Sequence, residues 1–230
     1  QLVSTNTYSD RELIDVLERF NALSPYAVYI VDSLGVIDRM DFLRMVYIAN
    51  NHLDENVILG YHSHNNLQQA MGNSEALVEL GLTRDIMVDA SVFGMGRGSG
   101  NLNMELFAGY LNDYHGKNYL IGPLLEIYDE YLHEIYIKNF WGYSLHFYLS
   151  ASNGCHPNYA KYYSEKATLT VKSFNELLKT IPEEKKASFS KTDAEEFYAE
   201  YMKNYVEDRE TLKTLHKIFM HRDIMVIAPG

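Results

Sequence analysis

The sequence predicts an α/β fold with a parallel sheet, followed by a mainly helical region. Short apolar runs that end in polar residues indicate strands near 2–7, 27–32, 57–62 and 86–91. Helical patterns separate these runs, and strands this apolar belong to a parallel sheet that helices cover on both faces. Beyond the last of these runs the pattern becomes long and helical, and no strand is indicated again until 224–227.

Local signals support the helices of the first region. Ser9 and Glu12 form a capping box ahead of apolar residues at helical spacing, and further helices are predicted at 41–49 and 67–80. We divide the chain into an α/β region, a helical region and a short last part, at 1–114, 115–222 and 223–230. The first residues resemble a strand already under way and the last part resembles the start of another. We therefore expect the sequence to be cut from a longer protein.

The composition is that of an ordinary soluble domain and excludes two classes of partner. Hydrophobic residues make up 47% of the chain, yet no run approaches the ~20 apolar residues of a membrane span. The net charge is −11, and the clustered basic face typical of nucleic-acid binding is absent. A single cysteine, Cys155, and the lack of a secretory signal point to the cytoplasm.

The clearest candidate for chemistry is a His-x-His pair at the end of a predicted strand. Side chains at i and i+2 of a strand project to the same face, so His62 and His64 can present two imidazoles to one metal ion. Isolated His-x-His pairs also occur by chance. The pair alone therefore leaves two interpretations open, a metal site and an ordinary polar strand end.

A glycine-rich loop follows the next predicted strand. Glycine recurs at every second position from Gly94 to Gly100, which allows positive φ angles and a close approach of the backbone to a ligand. The spacing fails the Gly-x-Gly-x-x-Gly pattern of dinucleotide-binding loops, because Ser99 and Asn101 stand where the third glycine is needed. The dinucleotide interpretation is therefore weak.

Taken together, these features resemble one enzyme family. The run from Gly60 to Glu105 combines His-x-His-Asn-Asn-Leu, a Val-Asp-Ala-Ser strand and Gly-x-Gly-x-Gly-x-Gly-Asn. It is similar to the last two β/α units of the DRE-TIM metallolyase superfamily of pyruvate aldolases and acyl-CoA lyases, and most similar to its 4-hydroxy-2-oxovalerate aldolase branch. The run 31–35 is similar to the sixth strand of that family's barrel. The resemblance covers residues 1–110 and implies a partial TIM (β/α)₈ barrel, strands five to eight, before a helical tail.

The resemblance implies a metal-dependent aldolase that cleaves a 4-hydroxy-2-oxoacid to pyruvate and an aldehyde, with Mn²⁺ or Mg²⁺ as the Lewis acid. The implied metal ligands are His62, His64 and Asn101, the last by similarity to the lyase branch. The substrate-binding candidates are Ser33, Asp32, Gly96 and Arg97. An ordinary ion pair is an equal alternative for Arg97, and Asp32 also suits a role in orienting a loop. Tyr148 loosely matches a tyrosine that acts as the family's catalytic acid, although a packed structural tyrosine explains it as well.

We expect one half of the family's site to be missing from this sequence. The family carries an Asp-Arg-Glu motif at the end of its first strand, which supplies a carboxylate ligand and an enolate-stabilising arginine, and a histidine base follows. We expect this sequence to lack that strand and to be inactive by itself. Within a longer protein it would act on a small 2-oxoacid, with a dehydrogenase or a second copy of the chain as candidate partners.

Other interpretations stay open. The same superfamily includes Claisen-type acyltransferases that use acetyl-CoA, and lyases like 3-hydroxy-3-methylglutaryl-CoA lyase. Metal-dependent hydrolases of the amidohydrolase type also use His-x-His, but their later strand ends supply further histidines, and residues 89–91 contain none. The alternative of another class is a non-catalytic docking module for a partner enzyme.

Overall fold

The fold begins with a sheet of three parallel strands. A computed structural model describes residues 1–204. Its strands, in spatial order, are β1 (Ala27–Asp32), β2 (Ile58–Ser63) and β3 (Ile86–Val88). Both pairs are parallel, as the sequence predicts, and the register places Val31 opposite His62. The strands therefore end at the same edge of the sheet, and the residues that follow them meet there.

Helices connect the strands and pack against one face of the sheet. In the α/β region they are α1 (Asp10–Asn21), α2 (Arg39–His52), α3 (Ala70–Glu79) and α4 (Met104–His115). The capping box predicted from Ser9 and Glu12 is present at the start of α1. The helices predicted at 41–49 and 67–80 are confirmed with shifted ends, because Asp38 caps α2 earlier than predicted by accepting a hydrogen bond from the Asp41 amide.

The predicted strand at 2–7 is wrong except for one residue. Leu2 forms a single parallel bridge with Ile30, and a 3₁₀ turn follows at Thr5–Thr7. The Thr5 hydroxyl explains the break, since it donates to the Leu2 carbonyl at 2.6 Å and accepts from the Val31 amide at 2.9 Å. A side chain thus occupies the position of the next ladder hydrogen bond, and the backbone turns away from the sheet.

The core of the α/β region lies between the sheet and the helices. Its largest fully buried side chains include Leu13, Leu17, Phe42, Leu59 and Tyr61. Burying an aliphatic or phenyl side chain of this size contributes about 1.5–3 kcal/mol of favourable transfer free energy. This packing fixes the positions of the strand ends.

The opposite face of the sheet is only partly covered, which differs from the predicted cover on both faces. Tyr29 is half-buried and Met87 is 38% exposed. The Tyr29 ring lies directly over Gly60, where an added Cβ would come within 2.5 Å of the ring carbons. Glycine is therefore needed at position 60 to let the ring lie flat on β2.

The helical region follows, as the sequence predicts. One continuous helical segment runs through α5 (Gly122–Ile127), a π-helical turn at Tyr128–Leu132 and α6 (His133–Tyr136). The remaining helices are α7 (Leu145–Ser152), α8 (Pro157–Glu165), α9 (Val171–Thr180), α10 (Glu183–Lys186) and α11 (Lys191–Asn204). Within 1–204 no helix is long and apolar enough to cross a membrane.

A second core holds the helical region together. It packs around Cys155, Tyr159, Tyr163, Phe174 and Leu177, which are all 0–1% exposed. The predicted strand at 224–227 and the short last part at 223–230 lie outside the described residues. So does the end of the helical region at 222.

Candidate active site at the strand ends

The two predicted histidines lie side by side at the carboxyl end of β2. His62 is in the strand and His64 follows it, and their ring centroids are 5.1 Å apart with the planes at 86°. Both rings are partly buried. Strand alternation, which places i and i+2 on one face, brings the two imidazoles together.

A hydrogen bond holds one nitrogen of each imidazole. His62 Nδ1 lies 3.0 Å from the Asp89 carboxylate, and His64 Nδ1 lies 2.8 Å from the Asp32 carbonyl oxygen. The carbonyl only accepts, so His64 Nδ1 carries the proton and its Nε2 keeps a lone pair. Burial lowers the pKa of His64, which favours the neutral ring. Metal-binding histidines commonly use this arrangement, in which the second nitrogen donates to a carboxylate or carbonyl oxygen.

Asn101 approaches the same point from the glycine loop. It forms an antiparallel bridge with His64, which places the two side chains on the same side, and its Nδ2 donates to the Met95 carbonyl at 3.0 Å. Its Oδ1 is buried without a hydrogen-bond partner. A buried acceptor without a partner costs about 1–3 kcal/mol, which a bound cation would offset.

These donors fit part of a divalent metal site. Two imidazole nitrogens and one amide oxygen match the ligand types of Mn²⁺, although Mg²⁺ favours an all-oxygen set. Within the described part of the chain, no three His, Cys, Asp or Glu side chains group closely enough to hold a metal ion. The donors found among the described residues are therefore the two imidazoles and the Asn101 amide oxygen, without a carboxylate.

The three residue types of the family motif do occur together, at Asp10, Arg11 and Glu12, but they lie in the first turn of α1 and not at a strand end. Asp10 pairs with Arg44 on α2, and Arg11 pairs with Asp15 at 3.0 Å. Glu12 belongs to the capping box. In this chain these three side chains thus serve contacts of α1 and α2, and the absence of the strand-end motif stays a prediction.

The glycine loop is tightly folded behind Asn101. Gly94, Gly98 and Gly100 have positive φ angles of 60°, 63° and 77°. A Cβ on Gly100 would lie 2.3 Å from the Gly94 carbonyl oxygen, and one on Gly96 would lie 2.8 Å from Asn101 Nδ2. These glycines let the loop fold back on itself and hold Asn101 beside the histidines.

Two cavities meet at the histidine pair, each with a volume of about 620 Å³. The first, which we call the interdomain cavity, is lined by Ser33, His64 and the glycine loop on one side and by helices α7 and α8 on the other. The second is lined by His62, Asp89 and Asn101 at one end, and by mainly apolar side chains of α4 and α5. Cavity space is therefore present on both sides of the pair.

The substrate-binding candidates have different surroundings. Ser33 lines the interdomain cavity, and its Oγ accepts a hydrogen bond from the Ser4 amide at 2.7 Å. Asp32 is 1% exposed, and its carboxylate accepts hydrogen bonds from the Val36 and Ile37 amides. Burial raises the pKa of Asp32 to about 6. Asp32 therefore orients the loop after β1, which is the alternative role that the sequence left open.

Tyr148 and Arg97 also depart from simple expectations. Tyr148 is 40% exposed, and its neighbour Phe147 lines the interdomain cavity in its place. The structure thus leaves Tyr148 outside both cavities. Gly96 and Arg97 do line the interdomain cavity, and the exposed Arg97 side chain has no ion pair or hydrogen bond within residues 1–204. The alternative of an ordinary ion pair finds no partner in that part of the chain.

Sequence reasoning missed several residues at this site. Asp89 directly follows β3, the strand next to β2, so the parallel register gave a signal for its contact with His62. Asn66 lies in the His-x-His-Asn-Asn run and lines the interdomain cavity with its Nδ2 unpaired. Trp141 and His156 come from the helical region, and no motif links them to the strand ends.

Comparison with known proteins agrees with this geometry. The model of the HMGL-like family matches residues 3–119. The chain belongs to the HMGL-like family. This places it in the DRE-TIM metallolyase superfamily that the sequence motifs resemble.

Similar curated proteins are named 4-hydroxy-2-oxovalerate aldolase. One from Geobacillus genomosp. 3 is 36% identical over 111 residues, which is 48% of this chain and 32% of that protein. Another, from Carboxydothermus hydrogenoformans, is 33% identical over 110 residues, covering 48% of this chain and 31% of the relative. The chain spans about a third of the length of the curated relatives that it matches.

Solved structures show the same fold. The N-terminal domain of a protein described as an aldolase from Bacteroides vulgatus matches with a TM-score of 0.57 and 28% identity, over 66% of this HMGL-like chain and 48% of that chain. The carboxyl transferase domain of Rhizobium etli pyruvate carboxylase also has a TM-score of 0.57, over 77% of this chain and 30% of that chain. At 11% identity the second match shows the fold alone.

Proposed function

We propose that this chain is part of a metal-dependent aldolase that cleaves a 4-hydroxy-2-oxoacid to pyruvate and an aldehyde. The observation that carries the proposal is the pair of imidazoles, each held at Nδ1, beside the buried and unpaired Oδ1 of Asn101. Three donors of metal-ligand type thus meet at the strand ends, where barrel enzymes place their active sites. The names of the relatives support the choice of reaction.

The barrel would be completed by residues outside the described chain. We propose that the Leu2 bridge and β1 to β3 correspond to strands five to eight, and that a segment bearing Asp-Arg-Glu covers the open face of the sheet. The half-buried Tyr29 and the 38% exposed Met87 support this, because they contact each other on the uncovered face. The described chain alone would then bind metal weakly and lack activity. A second copy or a dehydrogenase remains a candidate partner for the assembled protein.

Different residues of the site are assigned to metal binding and to substrate binding. When bound, Mn²⁺ or Mg²⁺ supplies the Lewis acid that stabilises the enolate charge left after the carbon–carbon bond breaks. His62 and His64 would hold it, and the hydrogen bonds to Asp89 and to the Asp32 carbonyl fix the direction of the rings. Ser33 and the glycine loop bind the oxoacid carboxylate at the cavity wall.

Aromatic side chains of the helical region cover the glycine loop at the site. Trp141 Nε1 donates to the Phe93 carbonyl at 2.8 Å, and Phe147 covers Gly98, where a Cβ would come within 2.8 Å of its ring. These aromatic side chains exclude water from the wall on which the substrate lies. We assign the activity to the cytoplasm, and the lone thiol of Cys155 is in keeping with a reducing compartment.

Replacing His62 or His64 by alanine in the intact protein tests the proposal. We expect turnover to fall by about a hundredfold or more, because the lost stabilisation acts mainly in the transition state. Pyruvate release is followed by coupling to lactate dehydrogenase and NADH, with Mn²⁺ or Mg²⁺ supplied. His52→Ala is the matched control, since His52 lies on α2 and contacts Glu18 away from the site.

Tyr148→Phe belongs to the same experiment. Because Tyr148 lies outside both cavities, we expect turnover close to that of the unmodified protein, whereas a catalytic acid would slow the reaction and leave metal affinity intact. If the intact protein releases no pyruvate but condenses acetyl-CoA with a 2-oxoacid, the family assignment stands and the aldolase proposal is wrong.

A further inference from the structure

The interdomain cavity extends well beyond the histidine pair. It begins at Ser33 and His64, passes over the glycine loop and ends against one face of α8. Among the lining residues of α8, Asn158, Lys161 and Glu165 are spaced by three and four positions and so share that face, and Ser164 lies three positions after Lys161. A ligand held at the strand ends therefore has a second contact surface on the helical region.

The glycine loop supplies a cation between these two ends. The Arg97 guanidinium lines the cavity and has no ion pair or hydrogen bond within the described residues. His64 and His156 line the same cavity as Arg97. A guanidinium has five N–H donors in a planar fork, which suits a carboxylate or a phosphate.

Other groups that line the cavity are also hydrogen-bond donors. Asn66 is 2% exposed, and its Nδ2 is buried without a partner. His156 Nδ1 accepts from the Asn158 amide at 3.1 Å, so in the neutral ring its Nε2 carries the proton. Lys161 has only a loose pair with Glu165, at 3.9 Å. An unpaired buried amide donor is costly unless a ligand accepts from it.

We propose that the interdomain cavity binds a second anionic group of the substrate, a carboxylate or a phosphate ester, and that Arg97 determines this specificity. The proposal rests on the proposed function for the position of the other end, the 2-oxoacid group near His64. Arg97 would pair with the distal anion, and Asn66 and His156 would donate further hydrogen bonds. Such a substrate bridges the two regions of the chain.

The single tryptophan makes binding directly measurable. Trp141 lines the interdomain cavity, and the chain has no other tryptophan, so its fluorescence reports on ligands there. We would titrate the 230-residue chain, in Mg²⁺ buffer, with 2-oxovalerate and 2-oxoglutarate, which differ only in a distal methyl or carboxylate group. A third ligand, 2-oxo-4-phosphonobutanoate, replaces the distal carboxylate by a phosphonate. Calorimetry repeats each titration, so that binding without a fluorescence change is also seen.

We expect 2-oxoglutarate or the phosphonate to bind at least about tenfold more tightly than 2-oxovalerate, because a charge-assisted pair to Arg97 adds to the contacts they share. The tighter of the two identifies the distal group. Arg97→Gln should remove the preference, so that the two anionic ligands bind no more tightly than 2-oxovalerate. Arg97→Lys should retain part of it, since the charge stays while the planar fork is lost.

Arg11→Gln is the matched control, because Arg11 is exposed on α1 and pairs with Asp15. Arg97 has no partner to lose, so its variants should melt at the same temperature as the unmodified chain. Equal binding of all three ligands, binding of none, or an undiminished preference in Arg97→Gln would overturn the inference. Those results leave pyruvate release by the intact protein untouched, so the two proposals fail separately.

Discussion

The α/β region and the helical region bury their side chains in different ways. The first packs leucine, isoleucine and valine from strands and helices that are distant in sequence, and the family match ends near its last helix. The second packs aromatic side chains from neighbouring helices, and its buried hydroxyls are satisfied: Tyr163 donates to the Ala194 carbonyl at 3.1 Å. The comparison indicates that the family's fold supplies the strand ends, while the added helices form walls of the interdomain cavity.

Truncating one buried leucine in each region tests whether the two cores are separate. Leu17 and Leu177 are both 0% exposed, so Leu17→Ala and Leu177→Ala should each cost about 2–5 kcal/mol. The regions meet mainly through the glycine loop, so we expect each variant to weaken hydrogen-exchange protection chiefly in its own region. Equal loss of hydrogen-exchange protection across both regions would show that the two cores unfold as a single cooperative unit.

The pH dependence of stability should differ between the regions because of Asp32. Burial raises its folded pKa to about 6 from 3.8, so the folded state holds this proton more tightly than the unfolded state. The associated stability is present below pH ~4 and is lost as the pH rises through about 6, by at most ~3 kcal/mol. The sign is opposite to that of a paired carboxylate.

The measurement is urea unfolding from pH 4 to 7 of the unmodified chain and of Asp32→Asn, whose amide cannot titrate. The unmodified chain should lose stability relative to Asp32→Asn across this range. Asp113→Asn, at an exposed position on α4, serves as the control and should run parallel to the unmodified chain. A constant difference between Asp32→Asn and the unmodified chain would contradict the raised pKa.

Trp141→Phe should give the smallest effect, at the contact between the regions. Phenylalanine keeps most of the aromatic packing but loses the hydrogen bond to the Phe93 carbonyl, which typically contributes about 0.5–1.5 kcal/mol. We expect faster amide exchange in the glycine loop, at Asn101 in particular, with little change in the second core. Phe140→Leu is the control, since Phe140 is 73% exposed. Unchanged amide exchange at Asn101 would mean that the glycine loop is stable without the hydrogen bond from Trp141.

The parts of the fold that the sequence predicted correctly depend on local pattern. Apolar runs located β1 to β3, and Ser9 with Glu12 located the start of α1. The predicted strand at 2–7 failed because the Thr5 side chain hydrogen-bonds in place of the backbone, which apolar periodicity does not reveal. Spacing along β2 likewise placed His62 and His64 together.

The rest of the site depends on contacts between distant parts of the chain. Arg97 and Asn66 share a cavity with His156, and nothing in the helical patterns indicated which face of α8 would meet the glycine loop. The neighbouring Phe147 lines the cavity while Tyr148 does not, and the catalytic role of Tyr148 stays a prediction. Such assignments need the packing of the two regions, which a single sequence does not provide.

The reactivity of the Cys155 thiol reports on the opening of the helical region. The thiol is 0% exposed, and burial raises its pKa to about 11, so at neutral pH it is protonated and shielded from alkylating reagents. A reagent reaches it only when the packing of α7, α8 and α9 opens, and the sequence contains no second thiol to compete. The rate of alkylation therefore measures how often the helical region opens, and the chain needs no substitution for this measurement.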